Sequence, residues 1–228
     1  MRTAAILPVK RFPLAKTRLG ESVTEALRLD LARAMVGDVL SSLRDCPAVE
    51  VTIVVTCEQS VAAAARYLGA TVVDDTREDG QSAAAELGIA SALADEFERV
   101  VCVPGDCPAL DPDELSGLLQ GEGTEAGVTI VPDRHGRGTN GLVLAPPDAI
   151  SPSFGPDSRA RHEQLAQAAG KEWRIAQPSS LLLDIDTGED LATLRKRLAD
   201  ERVLAPRTRA VLGLGSASGA PARTTRAA

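Results

Sequence analysis

Aromatic side chains are almost missing from this 228-residue chain, which has one Trp, one Tyr and three Phe. Phe12, Tyr67, Phe97, Phe154 and Trp173 are too few to build a core, so Ala, Val, Leu and Ile must supply it. The shortage, together with a formal charge of −7, argues against a nucleic-acid partner, which is usually met by a basic footprint and stacking rings. Cysteine is scarce too. Cys46, Cys57, Cys102 and Cys107 have no CxxC or Cys/His spacing, so neither a zinc site nor a disulfide framework is indicated. No apolar run reaches the roughly 18–20 residues of a membrane span, and the apolar stretch after Met1 is too short for a signal peptide. Walker A and GxGxxG signatures are absent. The two histidines, His135 and His162, have no Ser or Cys partner in a nucleophile motif, so no triad is assigned. These absences point to a cytoplasmic protein acting on small molecules, with no membrane or nucleic-acid partner and no assignable oligomeric state.

What is present is an alternation of strand and helix patterns. Ala4–Val9 reads as a first strand, followed by the basic loop KRFPLAKTRLG. Ser22-x-x-Glu25 resembles a capping box and opens a helix with a 3.6-residue apolar period through Leu43. Val49–Thr56 is β-branched like a buried parallel strand. A short helix over 60–68, a strand at Thr71–Val73, a helix over Ser82–Phe97 and a strand at Arg99–Pro104 follow. Asp111-Pro112 is an N-cap with an N1 proline, heading a helix that ends near Gly121. Gly127–Val131 and Gly141–Ala145 are strands around the loop PDRHGRGTN. Ser158–Ala169 and Glu189–Leu198 are helical; Trp173–Ile175 and Leu181–Asp184 are strand-like. Such βα units imply a single α/β domain over residues 1–201 with a mainly parallel, doubly wound sheet. Residues 202–228 hold five Arg and no acid, leaving residues 1–201 with 20 basic and all 32 acidic side chains, a net charge of −12. This Arg/Ala/Gly-rich segment reads as a disordered tail whose removal after Leu204 leaves activity unchanged, or as a basic arm for an acidic partner.

In an open α/β sheet, ligands bind beyond the carboxyl ends of the strands. Four polar clusters stand there. Lys10, Arg11, Lys16, Thr17 and Arg18 follow the first strand, and their cations suit a nucleoside triphosphate, though a solvated loop has the same composition. Asp106 in GDCP follows the buried run VVCV, where a carboxylate serves a divalent cation or caps a turn. Asp184 and Asp186 share a face two residues apart, suiting one direct metal ligand and one in support, while Asp186 or Thr187 also suits a helix cap. The glycine-bearing loops 136–140 and 154–158 bring Thr139, Gly155 and Ser158 to a helix N-terminus suited to an anion, or are ordinary turns. Cys57 and Cys102 belong to the core, and Cys107 has a place at the pocket wall.

The segments ILPVKRFPLAKTRL, VPGDCPAL, PDRHGRGTN, FGPDSRARH and DIDTGEDL, in that order from about Ile6 to Leu198, resemble the guanylyltransferases of coenzyme F420 biosynthesis. That family includes phosphoenolpyruvate and 2-phospho-L-lactate guanylyltransferases. The resemblance implies a GT-A-like nucleotidyltransferase fold, GTP as donor and Mg²⁺ as cofactor. By position it implies Asp106 and Asp184 as metal ligands, and Thr139, Gly155 and Ser158 as contacts of the phosphorylated three-carbon acid; Asp186 in support follows from its shared face with Asp184 alone. The chemistry it implies leaves Lys10, Lys16 and Arg18 to the triphosphate, with Lys16 also counted among the catalytic groups. At Asp79-Gly80-Gln81-Ser82 the chain departs from the family pattern, so no guanine-recognising residue is assigned. Phosphoenolpyruvate is the expected acceptor, on an Arg- and Ala-rich composition typical of high-GC bacteria. 2-Phospho-L-lactate is the alternative. Molybdopterin and sugar-phosphate nucleotidyltransferases usually carry a Gly-rich LAGGxxxRMG loop where this chain has Pro-Val-Lys-Arg-Phe-Pro. A non-catalytic nucleotide-binding regulator would not need both Asp106 and Asp184.

Overall fold

The computed structural model describes residues 1–121, 127–200 and 202–215. Alternating apolar residues make each central strand two-sided. In β1 (Thr3–Pro8), Ala5 and Leu7 enter one core while Ala4 and Ile6 enter the other. The remaining strands are β2 (Val51–Val55), β3 (Thr71–Val73), β4 (Arg99–Cys102), β5 (Gly127–Pro132), β6 (Thr139–Ala145) and β7 (Trp173–Ile175). They form one sheet in the order β3-β2-β1-β4-β6-β5-β7. All pairings are parallel except those of β6, which runs antiparallel to β4 and β5. The cause is the connection: residues 133–138 are too few for a crossover, which takes a dozen or more residues.

Helices cover both faces. α1 (Glu25–Asp45), α2 (Gln59–Tyr67) and α4 (Pro112–Gln120) lie on the Leu7 side, and α3 (Gln81–Ala94) and α5 (Ser158–Ala168) on the Ile6 side. α3 sits very close to the sheet. A Cβ on Gly88 would come within 2.4 Å of the Ile6 side chain, so only glycine allows this approach. Asp111 caps α4 by accepting from the amides of Asp113 and Glu114, as its Asp-Pro signature predicts. The α1 cap is Thr24, whose hydroxyl accepts from the Leu27 amide, and not the predicted Ser22. A capping box does form at α6 (Gly188–Arg197), where Thr187 and Asp190 satisfy each other's amides.

The predicted boundary at residue 201 is corrected. α7 (Pro206–Val211) packs on α1, with Ala205 and Thr208 fully buried. Buried Asp38 of α1 accepts from the amides of Arg207 at 3.0 Å and Thr208 at 2.8 Å, supplying acceptors for the first amides of α7. Leu212 joins Leu31, Met35, Leu191, Leu194 and Leu198 in a third core. The rest of the predicted tail, 216–228, lies outside the described residues. Among the described residues no helix is long and apolar enough to cross a membrane.

Candidate active site

A cleft of about 910 Å³ opens at the carboxyl ends of β1 and β4. Lys10, Lys16, Arg18, Asp106, Thr139, Gly155, Ser158, Asp184 and Asp186 all line it, whereas Arg11, Thr17 and Cys107 do not.

One half of the cleft is charged. Oxygens of Asp106, Asp184 and Asp186 lie within 4.8 Å of one another. The predicted strand Leu181–Asp184 forms no ladder, but the alternation survives: Leu183 and Ile185 are buried in the third core while the aspartates face the cleft. The Ile185 amide donates to the Asp106 carbonyl at 3.1 Å, which fixes the two aspartate segments side by side. Asn140, which the sequence reading passed over, donates to the Leu181 carbonyl at 2.9 Å and to Asp184 Oδ1 at 3.1 Å. It ties the same segment to β6.

Lys16, in a left-handed backbone conformation, places its ammonium between Asp106 and Asp186, 2.6 Å from the latter and in direct contact with the former. Burial alone would lower its pKa, but the two carboxylates more than offset this and hold it charged. Asp184 is pushed up to about 6 by burial and then by Asp106, with Asn140 opposing. Asp106 Oδ1 is buried without a hydrogen-bond partner. An orphaned carboxylate oxygen, three converging carboxylates and a cation already drawn among them fit a small divalent cation, whose preferred ligands are oxygens.

Lys10 and Arg18 line the same half and make no ion pair among the described residues. Arg11 instead pairs with Glu78. Cys107, expected at the pocket wall, is buried and contacts the Leu181 carbonyl, and burial pushes its thiol well above the ordinary range.

The other half presents hydroxyls and glycine turns, with its charged side chains Arg137 and Asp157 paired to each other. Thr139 belongs to β6 and not to the preceding loop, and its hydroxyl lies 3.1 Å from that of Ser158, the first residue of α5. Gly155 turns the chain at φ 111°, a conformation that a side chain would strain. The glycine loops are tied together: Arg159 donates its amide to the Arg137 carbonyl and its guanidinium to the Gly136 carbonyl, and Arg137 pairs with Asp157. These bonds narrow the helix N-terminus reading, since the Ser158 and Arg159 amides already donate to the Gly155 and Arg137 carbonyls. The Phe154 amide donates to Ser82 Oγ at 2.8 Å, joining this loop to the start of α3. His162, which ends the FGPDSRARH segment and has no role assigned from sequence, is buried beneath Thr139.

With this geometry in place, comparison with known proteins identifies the family. Residues 3–197 match the model described as guanylyl transferase CofC like. The chain belongs to that family. It is 46% identical over 213 residues to the phosphoenolpyruvate guanylyltransferase of Conexibacter woesei, covering 93% of this chain and 96% of that protein. It is also 34% identical to the 2-phospho-L-lactate guanylyltransferase of Methanothermobacter thermautotrophicus, covering 85% of this chain and 84% of that protein. Among solved structures, a nucleotidyl transferase from the same genus superposes with a TM-score of 0.62 at 19% identity, over 87% of this chain and 98% of the other. CMP:2-keto-3-deoxy-manno-octonic acid synthetase complexed with CTP superposes with a TM-score of 0.60 at 16% identity. The fold is therefore the GT-A-like nucleotidyltransferase fold, on one mostly parallel seven-stranded sheet.

Proposed function

We propose that this chain is a phosphoenolpyruvate guanylyltransferase of coenzyme F420 biosynthesis, condensing GTP with phosphoenolpyruvate to give enolpyruvoyl-2-diphospho-5'-guanosine and pyrophosphate. The observation that carries the reading is the pairing, in one cleft, of a converging Asp106–Asp184–Asp186 set with a neutral Thr139–Ser158 hydroxyl pair. The extensive identity to a protein of that name supports the choice of acceptor. A 2-phospho-L-lactate acceptor is the second reading, favoured by the archaeal relative.

An oxygen of the acceptor's phosphate attacks the α-phosphorus of GTP. A P–O bond forms there as the bond to the β,γ-pyrophosphate breaks in line, and pyrophosphate carries away the charge. Both reactants are anionic, so the protein's work is neutralisation and alignment, with no protein nucleophile needed. Asp106 and Asp184 would hold Mg²⁺, with Asp186 supporting. The ion, when bound, supplies Lewis-acid neutralisation of the transferring phosphoryl oxygens. Lys10 and Arg18 face the triphosphate as unpaired cations. Lys16, held between Asp106 and Asp186, is the third cation on this side of the cleft. Thr139, Ser158 and the Gly155 turn hold the acid's phosphate and carboxylate, which both candidate acids share. Shape alone separates the planar from the tetrahedral acid by about 1–3 kcal/mol.

The test is pyrophosphate release with GTP, ATP, CTP and UTP, each against phosphoenolpyruvate, 2-phospholactate and 3-phosphoglycerate, followed by competition between the first two acids. GTP with phosphoenolpyruvate is expected to dominate. A mixture dominated by the lactate adduct replaces the acceptor and leaves guanylyl transfer standing. Release with another nucleotide in preference to GTP overturns the reading.

A further inference from the structure

His162 lines no part of the cleft, yet both of its ring nitrogens are engaged and the ring is fully buried. The Ser153 amide donates to Nε2 at 2.8 Å, so Nε2 presents a lone pair. In a neutral ring the hydrogen then sits on Nδ1, 3.1 Å from Thr139 Oγ1. Burial, and then Arg161, push the imidazole down to about 4, which keeps it neutral in ordinary buffers. The tautomer is braced from outside. Arg161 donates to the carbonyls of Ser153 and Phe154 at 3.0 and 3.2 Å, fixing the segment that carries the Ser153 amide. The Phe154 ring meets the imidazole edge-on at 5.4 Å.

A count of hydrogens follows. Thr139 Oγ1 accepts from Nδ1 and lies 3.1 Å from Ser158 Oγ. The two hydroxyls own two hydrogens, and one bridges them, whichever way it points. The second has no protein acceptor among the described residues: the imidazole is itself a donor, and the remaining open side is the cleft that both residues line. With the opposite tautomer, Thr139 would donate to Nδ1 and Ser158 to Thr139. Both hydrogens would then be consumed, and the cleft would face only lone pairs, which repel an anion.

We propose that His162 is a positioning residue whose tautomer commits the Thr139–Ser158 pair to offering one hydrogen to an anionic oxygen of the acceptor. This rests on the reading of that half of the cleft as the acceptor site. The role is to orient a donor in advance, so that no proton has to be rearranged when the acid arrives.

The test combines a cycle of variants with a spectroscopic readout. His162→Phe keeps a ring and removes the Nδ1–H that fixes Thr139 Oγ1 as an acceptor, so the spare hydrogen is no longer aimed at the cleft; it is expected to raise the acceptor KM by up to about 10-fold, the order of a hydrogen bond to a charged group, and to leave the GTP KM within about 2-fold. His162→Asn, which restores an N–H near Nδ1, is expected to recover most of that loss. In a Thr139→Val background, His162→Phe is expected to add nothing, because the hydroxyl it acts through is gone. An equal further rise there means that the histidine acts on the packing alone, and overturns the proposal. Should His162→Phe fail to fold, ¹⁵N NMR of the unsubstituted protein at pH 7 decides. Protonated Nδ1 with bare Nε2 is expected, and an Nε2–H tautomer overturns the proposal. Absence of turnover with every acid would instead overturn the acceptor reading, while the tautomer is still read by NMR.

Discussion

Around Asp106 the cleft is lined with converging carboxylates that share one ammonium, whereas around Thr139 it is lined with hydroxyls and with the already paired Arg137 and Asp157, whose bonds close on one another. The charged half is incomplete by itself. One carboxylate oxygen lacks a partner, Asp184 resists ionisation up to about pH 6, and Lys16 is drawn between two aspartates. Such a set is completed only by a ligand that brings its own charges. The hydroxyl half is nearly satisfied before any ligand arrives, with one hydroxyl hydrogen to give. Under the proposed function, the nucleotide and its cation would have to rearrange what they meet, while the acceptor would enter a site already set.

If that contrast holds, damage to the charged half should cost most. Asp106→Asn is expected to lower turnover by at least about 10²-fold with the fold intact, since cation stabilisation of a transferring phosphoryl group is worth several kcal/mol. Circular dichroism with pyrophosphate release checks it. Asp184→Asn should match it, and a near-normal Asp184→Asn beside a dead Asp186→Asn would reassign the direct ligand.

The next effect concerns the support behind the charged half. Met35 and Val36 of α1 line the cleft, and α7 braces that helix through Asp38. Truncation after Leu204, which the sequence alone presents as leaving activity unchanged, removes both amide donors to Asp38 and uncovers the apolar surface under Ala205 and Leu212. At about 2–3 kcal/mol for such a loss, Tm should fall by about 5–10 °C in thermal melts. An unchanged Tm would show α7 to be dispensable.

Thr139→Val comes next, with the acceptor KM rising about 10-fold and the GTP KM nearly unmoved.

The smallest effect is a gain. The raised Asp184 pKa means that, between about pH 4 and 6, the metal-free folded protein binds more protons than the unfolded chain, so this group's contribution to stability falls as pH rises through that window. At pH 8 the ionised carboxylate is a burden that Asp184→Asn removes, and at pH 5 there is little to remove. Melts without divalent cation should show the variant more stable by a few degrees at pH 8 and nearly equal at pH 5. By the same sign, divalent-cation affinity should weaken as pH drops below 6.

Much of this architecture is legible in the sequence because single residues carry strong physical signals. The β-branched run around Val51–Val55 can hardly be anything but a buried strand, and Asp111-Pro112 starts a helix on cap chemistry alone. Carboxylates after apolar runs marked Asp106 and Asp184, since strand ends are where such a sheet binds ligands. Other features are carried by contacts between distant residues. The packing of α7 rests on Ala205, Thr208 and Leu212, whose i, i+3, i+7 spacing is helical but whose small side chains give a weak apolar stripe. The antiparallel course of β6 within the mainly parallel sheet follows from the 133–138 connection, which is too short for a crossover. Lys16 reads as a phosphate ligand locally, and only the fold brings it to Asp186, 170 residues away. His162 closes the FGPDSRARH segment, but only the fold gives it a role, by bringing Ser153 and Thr139 to its two nitrogens.

The division of labour between the two halves is tested most directly by steady-state kinetics in which GTP and phosphoenolpyruvate are varied separately, for the unsubstituted chain, Asp106→Asn and Thr139→Val, with pyrophosphate release as the readout. The expected result is a split: Asp106→Asn loses turnover and its dependence on divalent cation while the acceptor KM holds, and Thr139→Val raises the acceptor KM alone. Equal losses in both substrates' KM for both variants, or release that does not depend on the acid, would contradict it.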